Sequence, residues 1–563
     1  MKRLGAWLLR HLPEGLLLAL CALAFAQGAQ ATGDLNWPGD PDLFRDIAQA
    51  QTFADGDWLA DPQYRGESIW YNPLAPSIVA IMGRITQQPI PLLYTRLGAY
   101  LNLLAPLGLY LLVALAINRW TAVGAVLAFL FIAPPTNEPS WAVGAYSPWL
   151  FAANFAQGWL YLTLAAYIIA LRRRTYRWWA VVGGLLGVTF LAHTAPAVMA
   201  GGIIALTMAV RLIRTRERRS GLRAGGVIIV VALIISAPLT LSIVGRYQLR
   251  VLNPAPTNWA YEPLTLRNFE AFLQGNVSDR AGYLLVVGLG LIAVWRNRRA
   301  ERRLVAFWLI ITLTLLIYHY ARQWVKRDGV IWPTIIPGFH FLMYFRVAQS
   351  MLLGAGVMAL GAWAANFAAK VRPWLRGKSH AGLARGLSLT ILTVMLITAY
   401  PAYLNSDDLI GQRLDAVQVS QDTDRIAAYQ WVRAHTQPHD VFLAGDALGT
   451  FVISPAGRKL IAGDSVFVSP YVDWAARNAD REALWAALET HAEKEHPERS
   501  SAESKEHPER SSAESKEFRA LMAKYQAVYV AVSGNRLSQL AADTPPFVEC
   551  VFTSETVQLY RLH

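Results

Sequence analysis

Charge is scarce in this chain: 16% of its 563 residues are Asp, Glu, Lys or Arg, while 54% are hydrophobic, and the mean hydropathy is +0.28. A soluble enzyme of this size carries about a quarter charged residues, so the composition excludes an ordinary soluble fold and points to a membrane. Cysteine is nearly absent. Cys21 lies inside the first apolar run and Cys550 near the C-terminus, a placement that argues against a disulfide between them. Zinc-type Cys/His spacing is also missing, which leaves a carboxylate-held Mg²⁺ or Mn²⁺ as the metal chemistry open to the sequence. No glycine-rich phosphate loop follows a soluble strand. The Gly288–Gly290 and Gly354–Gly356 pairs sit in apolar runs and read as points of close helix packing.

What the chain does have is apolar runs. They fall near 13–31, 97–117, 119–135, 149–171, 178–192, 195–212, 226–245, 281–296, 303–320, 346–369 and 385–404, which predicts about eleven membrane spans. The first run follows Lys2 and Arg3 and ends in AQGAQA; it reads as an uncleaved first span, although it resembles a signal peptide. The net charge of +13 would suit nucleic acid, but the arginines are concentrated in four connections. These are Arg172–Arg177, Arg211–Arg223, Arg296–Arg303 and Lys370–Arg385. Counting spans puts all four on the side of Lys2 and Arg3. The positive-inside rule makes that side cytoplasmic, accounts for the charge as topology and removes nucleic acid as a partner. The first loop and everything after the last span are then extracytoplasmic, in a plasma membrane.

Residues 33–76, GDLNWPGDPDLFRDIAQAQTFADGDWLADPQYRGESIWYNPLAP, form an acidic and aromatic insert between the first two runs. Asp40 before Pro41 is a helix start, in which the Asp side chain accepts first-turn N–H groups and Pro occupies the first helical position. Phe44, Ile47, Ala48, Gln51 and Phe53 then give an amphipathic helix along the membrane surface, with Asp42 and Asp46 one turn apart on its polar side. An N-cap role and a catalytic role for Asp40 are compatible.

The succession Asp40, Phe44, Asp46, Ile47, Ala48, Gly56, Asp57, Trp58, Leu59, Pro62, Gly66, Tyr71, Pro73 resembles the first external loop of GT-C glycosyltransferases. It looks most like that of the aminoarabinose transferases and protein O-mannosyltransferases. The resemblance implies a mainly α, polytopic transmembrane bundle with a C-terminal extracytoplasmic α/β domain, a polyprenyl-phosphate sugar donor, and a glycan, lipid or protein acceptor. It also places Asp40 on the family's catalytic Asp. The chain departs from the pattern in three places: Pro41 replaces the usual Glu, one residue is added before Gly56, and Asn72-Pro73-Leu74 replaces Lys-Pro-Pro. Asp42 is therefore a rival for the base.

Inverting transfer needs a carboxylate to take the acceptor proton and cations to hold the departing phosphate. The stretch 318–350 mixes arginines, aromatics and histidines, and Arg346, Lys326 and Arg327 are its phosphate-binding candidates, with His193 a fourth. An interfacial belt of Trp, Tyr and Arg would use the same residues. Arg346 is set apart because it enters a span, where charge is costly and usually functional. Trp70 and Tyr71 are candidate sugar-stacking residues. Glu138 is a candidate second carboxylate which, with Asp40 and Asp42, could hold a divalent cation.

Domain boundaries are expected at 1–404 for the membrane part, with the loop at 32–96, and at 405–563 for the α/β domain. DVFLAG at 440–445, AVYVAV at 527–532 and the C-terminal 548–562 read as strands. Within this region KEHPERSSAES occurs twice in tandem, at 494–515, and predicts a disordered insertion over 491–516. A lipid or sugar transporter would need charges in several spans and a repeated span pattern. A noncatalytic scaffold would make no demand on Asp40.

Overall fold

The computed structural model describes residues 2–132, 138–214, 218–258, 264–275, 280–296, 300–326, 336–371, 380–494, 518–534 and 547–563. Mutual contacts divide the chain into two compact units, one of residues 1–34, 95–237 and 259–414 and one of residues 35–94, 238–258 and 415–563.

The first unit is helical. It contains α1 (Lys2–Thr32), and the second unit's α2 (Pro41–Ala54) and α3 (Leu74–Thr86) come next in the chain. There follow α4 (Ile90–Leu101), α5 (Leu104–Ala116), α6 (Arg119–Leu127), α7 (Ala152–Arg173), α8 (Tyr176–Ala192), α9 (Thr194–Arg214) and α10 (Arg218–Thr240). The later helices are Ala281–Trp295, Ala300–Lys326, Phe339–Val371 and His380–Leu404. Where they are described, all eleven predicted apolar runs lie mainly on helices. Among the described residues, eight helical stretches are long and apolar enough to cross a bilayer; the runs at 119–135, 178–192 and 281–296 fall on shorter apolar helices.

Local chemistry sets the helix ends. Asn118 caps α6 by accepting from the Thr121 N–H at 2.9 Å, and Arg172 and Arg173 sit in the last turn of α7, where positive charge suits the helix dipole. Ile229, Val230, Leu233 and Ile234 of α10 are exposed, as expected where lipid rather than water is the solvent. Inside, the helix Phe339–Val371 packs on Ala281–Trp295 so closely that a Cβ at Gly290 would overlap the Leu352 carbonyl, and one at Gly356 the Val286 carbonyl. Gly290, Gly354 and Gly356 therefore serve packing, as expected, whereas a Cβ at Gly288 would meet open space.

The second unit holds a five-stranded sheet. Its strands are β1 (Val441–Ala444), β2 (Lys459–Leu460), β3 (Ala527–Ser533), β4 (Val548–Thr553) and β5 (Val557–Leu562), in the order β2-β1-β3-β5-β4. β1 is parallel to β2 and β3, whereas β5 is antiparallel to β3 and β4. The predicted strands are present. One face of the sheet buries Phe442, Tyr529 and Leu559 with Val432 of the helix Thr423–His435 and with Trp37 and Phe44 from the acidic loop. The loop is thus built into this core. The tandem repeat lies outside the described residues apart from its first residue, Lys494, as does Arg327.

Candidate functional site

The helix predicted after Asp40 is α2, and Asp40 is its N-cap: Oδ1 accepts from the Asp42 N–H at 2.8 Å, and Pro41 opens the first turn. Gly39 beside it packs against the backbone of Asp415 and Ala416, with no room for a Cβ. This fixes the cap on the helix Gly411–Gln421.

Seven of the eight acids in and around the loop have other neighbours. Asp34 is paired with Arg413 at 2.7 Å, which holds its carboxyl down at about 2. Asp42 bonds Arg45 Nη1 at 2.7 Å, and the buried Asp46 bonds Arg45 Nε at 2.9 Å. Asp55 accepts from Arg433 at 2.8 Å and Arg458 at 3.3 Å. Asp57 lies in the field of Lys459. Asp61, fully buried, accepts the Gln63 and Tyr64 N–H groups at 2.7 Å. Glu67 accepts from the Tyr247 hydroxyl at 3.1 Å.

Asp40 differs from these. It is half-buried, and among the described residues its carboxylate takes the Asp42 N–H and no ion pair. Burial and the adjacent Asp42 charge push it up to about 7, against the smaller opposing pull of the Asp42 N–H and Arg45. A carboxyl titrating near neutrality is poised to accept a proton. Asp46 is also raised, to about 6 by burial, but Arg45 covers it.

Tyr71 does not offer an open stacking face on the side toward α2, because the Arg45 guanidinium lies 3.9 Å from its ring centre. Trp70 is buried, 5.4 Å from Tyr71 between ring centres. Sequence reasoning passed over Arg45, although its i+3 spacing from Asp42 is an ion-pair signal. An aromatic groove does exist elsewhere in this unit, lined by Trp37, Phe44, Arg425, Ile426 and Phe451. Phe451 comes from the loop after Gly445.

In the helical unit, Arg346 is buried and ion-paired with Glu138. Arg280, also unremarked in the sequence, faces both, and burial together with the Arg346 charge lowers its pKa. Two guanidiniums therefore share one carboxylate, and the group carries a net positive charge. His193 stacks on His340 at 4.9 Å, and the His340 Nδ1 lies 3.1 Å from the Pro337 carbonyl. The helix Ala300–Lys326 ends at Lys326, whose side chain is outside the described residues.

Among the described residues no three His, Cys, Asp or Glu groups gather as metal ligands, and Asp42 and Glu138 are already committed to arginines.

These features define a multi-pass, mainly helical membrane protein with a small α/β domain. No protein-family model and no curated protein sequence matches the chain, but solved structures do. Over 94% of this chain and 70% of that one, it is similar to the archaeal oligosaccharyltransferase AglB of Archaeoglobus fulgidus, in complex with an inhibitory peptide and a dolichol-phosphate, at 12% identity and a TM-score of 0.57. ArnT from Cupriavidus metallidurans, bound to undecaprenyl phosphate, matches over 97% of this chain and 98% of that chain at 12% identity and a TM-score of 0.54. The mycobacterial arabinofuranosyltransferase AftD matches over 97% of this chain and 40% of its own length at 11% identity and 0.54. A second form of the Archaeoglobus oligosaccharyltransferase, at a TM-score of 0.51 and 12% identity over 93% of this chain and 70% of that chain, is a complex with Zn and sulfate.

Proposed function

We propose that this protein is an integral membrane glycosyltransferase that moves a sugar from a polyprenyl-phosphate carrier to an extracytoplasmic hydroxyl acceptor, with inversion. One observation carries this reading. Of the loop acids, Asp40 alone combines a fixed position, partial exposure, freedom from an ion pair and a pKa near 7. The acceptor O–H gives its proton to the Asp40 carboxylate as the oxygen attacks the anomeric carbon. The bond from that carbon to the phosphate oxygen breaks, and the phosphate leaves with the electron pair. Asp42 holds Arg45, so its part is to raise and orient Asp40 rather than to take the proton. In the helical unit, Arg346 and Arg280 are assigned to the donor phosphate, where their surplus charge stabilises the leaving group. His193 is a further candidate for the donor phosphate. The groove at Trp37, Phe44 and Phe451 would receive the acceptor by stacking against aromatic faces. The fold shared with enzymes solved with dolichol-phosphate and undecaprenyl phosphate supports the choice of donor class.

The test is release of polyprenyl phosphate from a panel of synthetic polyprenyl-phosphate sugars by the purified protein. Asp40→Asn keeps the cap but cannot take the proton, and turnover is expected to fall by about 10²–10⁴-fold. Asp42→Asn should cost less. Full activity of Asp40→Asn would overturn the assignment of the base.

A further inference from the structure

A cavity of about 50 Å³ opens in the helical unit where the end of α7, the start of α8, the end of α9 and the start of α10 meet. Its inner wall is apolar, with buried Trp179 flanked by Leu171 and Met208, and Arg174, Arg211 and Ser220 stand at its rim. The chain enters it from α7 through one tight reversal. Arg174 closes α7 in the left-handed region at φ +54°, so that α8 starts two residues later, and α10 starts at Arg218. Ser220 and Gly221 lie near the start of the 23-residue helix α10.

A buried tyrosine stands behind this wall without lining the cavity. Tyr167 of α7 is fully buried, its ring 6.1 Å from that of Trp179, and its hydroxyl has no hydrogen-bond partner among the described residues while facing the Arg211 charge. The local charge is one-sided as well: between Leu171 and Gly226 the sequence has ten arginines and one acid, Glu217, which lies outside the described residues.

We propose that this cavity binds the phosphate headgroup of an anionic membrane phospholipid. Rim guanidiniums would hold the phosphate and the ends of the spans place them at headgroup depth, while the Trp179 wall takes the apolar start of the lipid chains. A free inorganic phosphate would satisfy the rim but leave the wall unused. The site is separate from the donor phosphate assigned to Arg280 and Arg346, and it depends only on the helical unit spanning a membrane.

The experiment is native mass spectrometry of the full chain extracted from nanodiscs of phosphatidylcholine containing phosphatidylglycerol. The wild type is expected to retain phosphatidylglycerol over phosphatidylcholine. The double variant Arg174→Gln/Arg211→Gln should lose that retention about tenfold or more, taking a severalfold loss for each basic group. Exposed arginines on the same connections but outside the cavity supply the control, and Arg177→Gln/Arg223→Gln should stay within about twofold. An equal loss in both pairs would mean diffuse surface attraction and overturn the site, as would absence of lipid preference in the wild type. Displacement of phosphatidylglycerol by millimolar inorganic phosphate would assign the cavity to a free anion and overturn the lipid. Should the cavity variant fail to fold, photo-crosslinking of phosphatidylglycerol to the wild type decides: adducts at Leu212 or Ala224 support the proposal, and adducts elsewhere contradict it.

Discussion

Arg45 is the residue on which the acidic loop depends. It is buried, bonds Asp42 and Asp46, and covers the Tyr71 ring. Removing it leaves the buried Asp46 carboxylate without its cation, so Arg45→Ala is expected to destabilise the protein by about 3–5 kcal/mol in thermal unfolding at pH 8. Asp46 is held up at about 6, so part of that loss should be recovered below pH 6, where protonation removes the uncompensated charge. The Glu138 cluster behaves differently because it holds two cations. Arg280→Gln leaves the Arg346–Glu138 pair intact, and the expected result is an unchanged melting temperature with a donor KM raised about tenfold. Arg346→Gln is expected to lower kcat as well and to weaken the fold. An Arg280→Gln enzyme with wild-type KM for every donor would remove Arg280 from phosphate binding.

At the scale of elements, what matters is how the loop after α2 is tied to the sheet. The Leu460 N–H of the edge strand β2 donates to the Gln63 carbonyl at 2.7 Å, and Lys459 Nζ donates to the Asp61 carbonyl at 2.6 Å and the Pro62 carbonyl at 3.2 Å. Lys459 is buried, which pulls its pKa down to about 8, while its partner Asp61 is pushed up to about 6 by the same burial. Lys459→Met should cost about 3–5 kcal/mol at pH 8. The cost should shrink toward pH 5 as Asp61 takes a proton, and a pH-independent loss would show that packing rather than charge is responsible.

These ties also mark what could be read from the sequence. The apolar runs gave the helices, because period and length are local properties. The Asp40-Pro41 pair gave the start of α2, because capping is decided within four residues. The neighbours of Asp55 and Asp61 could not be read, since Arg433, Arg458 and Lys459 lie hundreds of residues away in the chain. Arg280 was missed for the same reason: before a short apolar helix it looks like an ordinary flanking charge, and only the fold brings it to Glu138.

For the whole molecule, the two cysteines provide a native test of topology. Cys21 is buried in α1 and Cys550 is exposed in β4, and both are free thiols. The arginine distribution predicts that the C-terminal domain faces away from the cytoplasm. A membrane-impermeant maleimide should therefore label Cys550 in right-side-out vesicles and leave inverted vesicles unlabelled until detergent is added. Labelling of Cys550 in inverted vesicles alone would reverse the orientation and place the acidic loop on the wrong side for an extracytoplasmic acceptor.

The central claim is that Asp40 receives the acceptor proton, and the most direct measurement of it is the pH dependence of kcat/KM between pH 5 and 9. Burial and the Asp42 charge raise this carboxyl in the folded protein to about 7, so the base is protonated and idle in acid. Activity should rise about tenfold per pH unit below 7 and level off above it. The same shift makes the charged Asp40 a cost to folding that grows as pH rises from the unfolded value near 4 toward 7. Asp40→Asn should therefore lose about 10²–10⁴-fold in turnover, yet be more stable than the wild type at pH 8 by up to about 4 kcal/mol. An Asp40→Asn protein that keeps the wild-type rate and the wild-type pH profile would contradict the account.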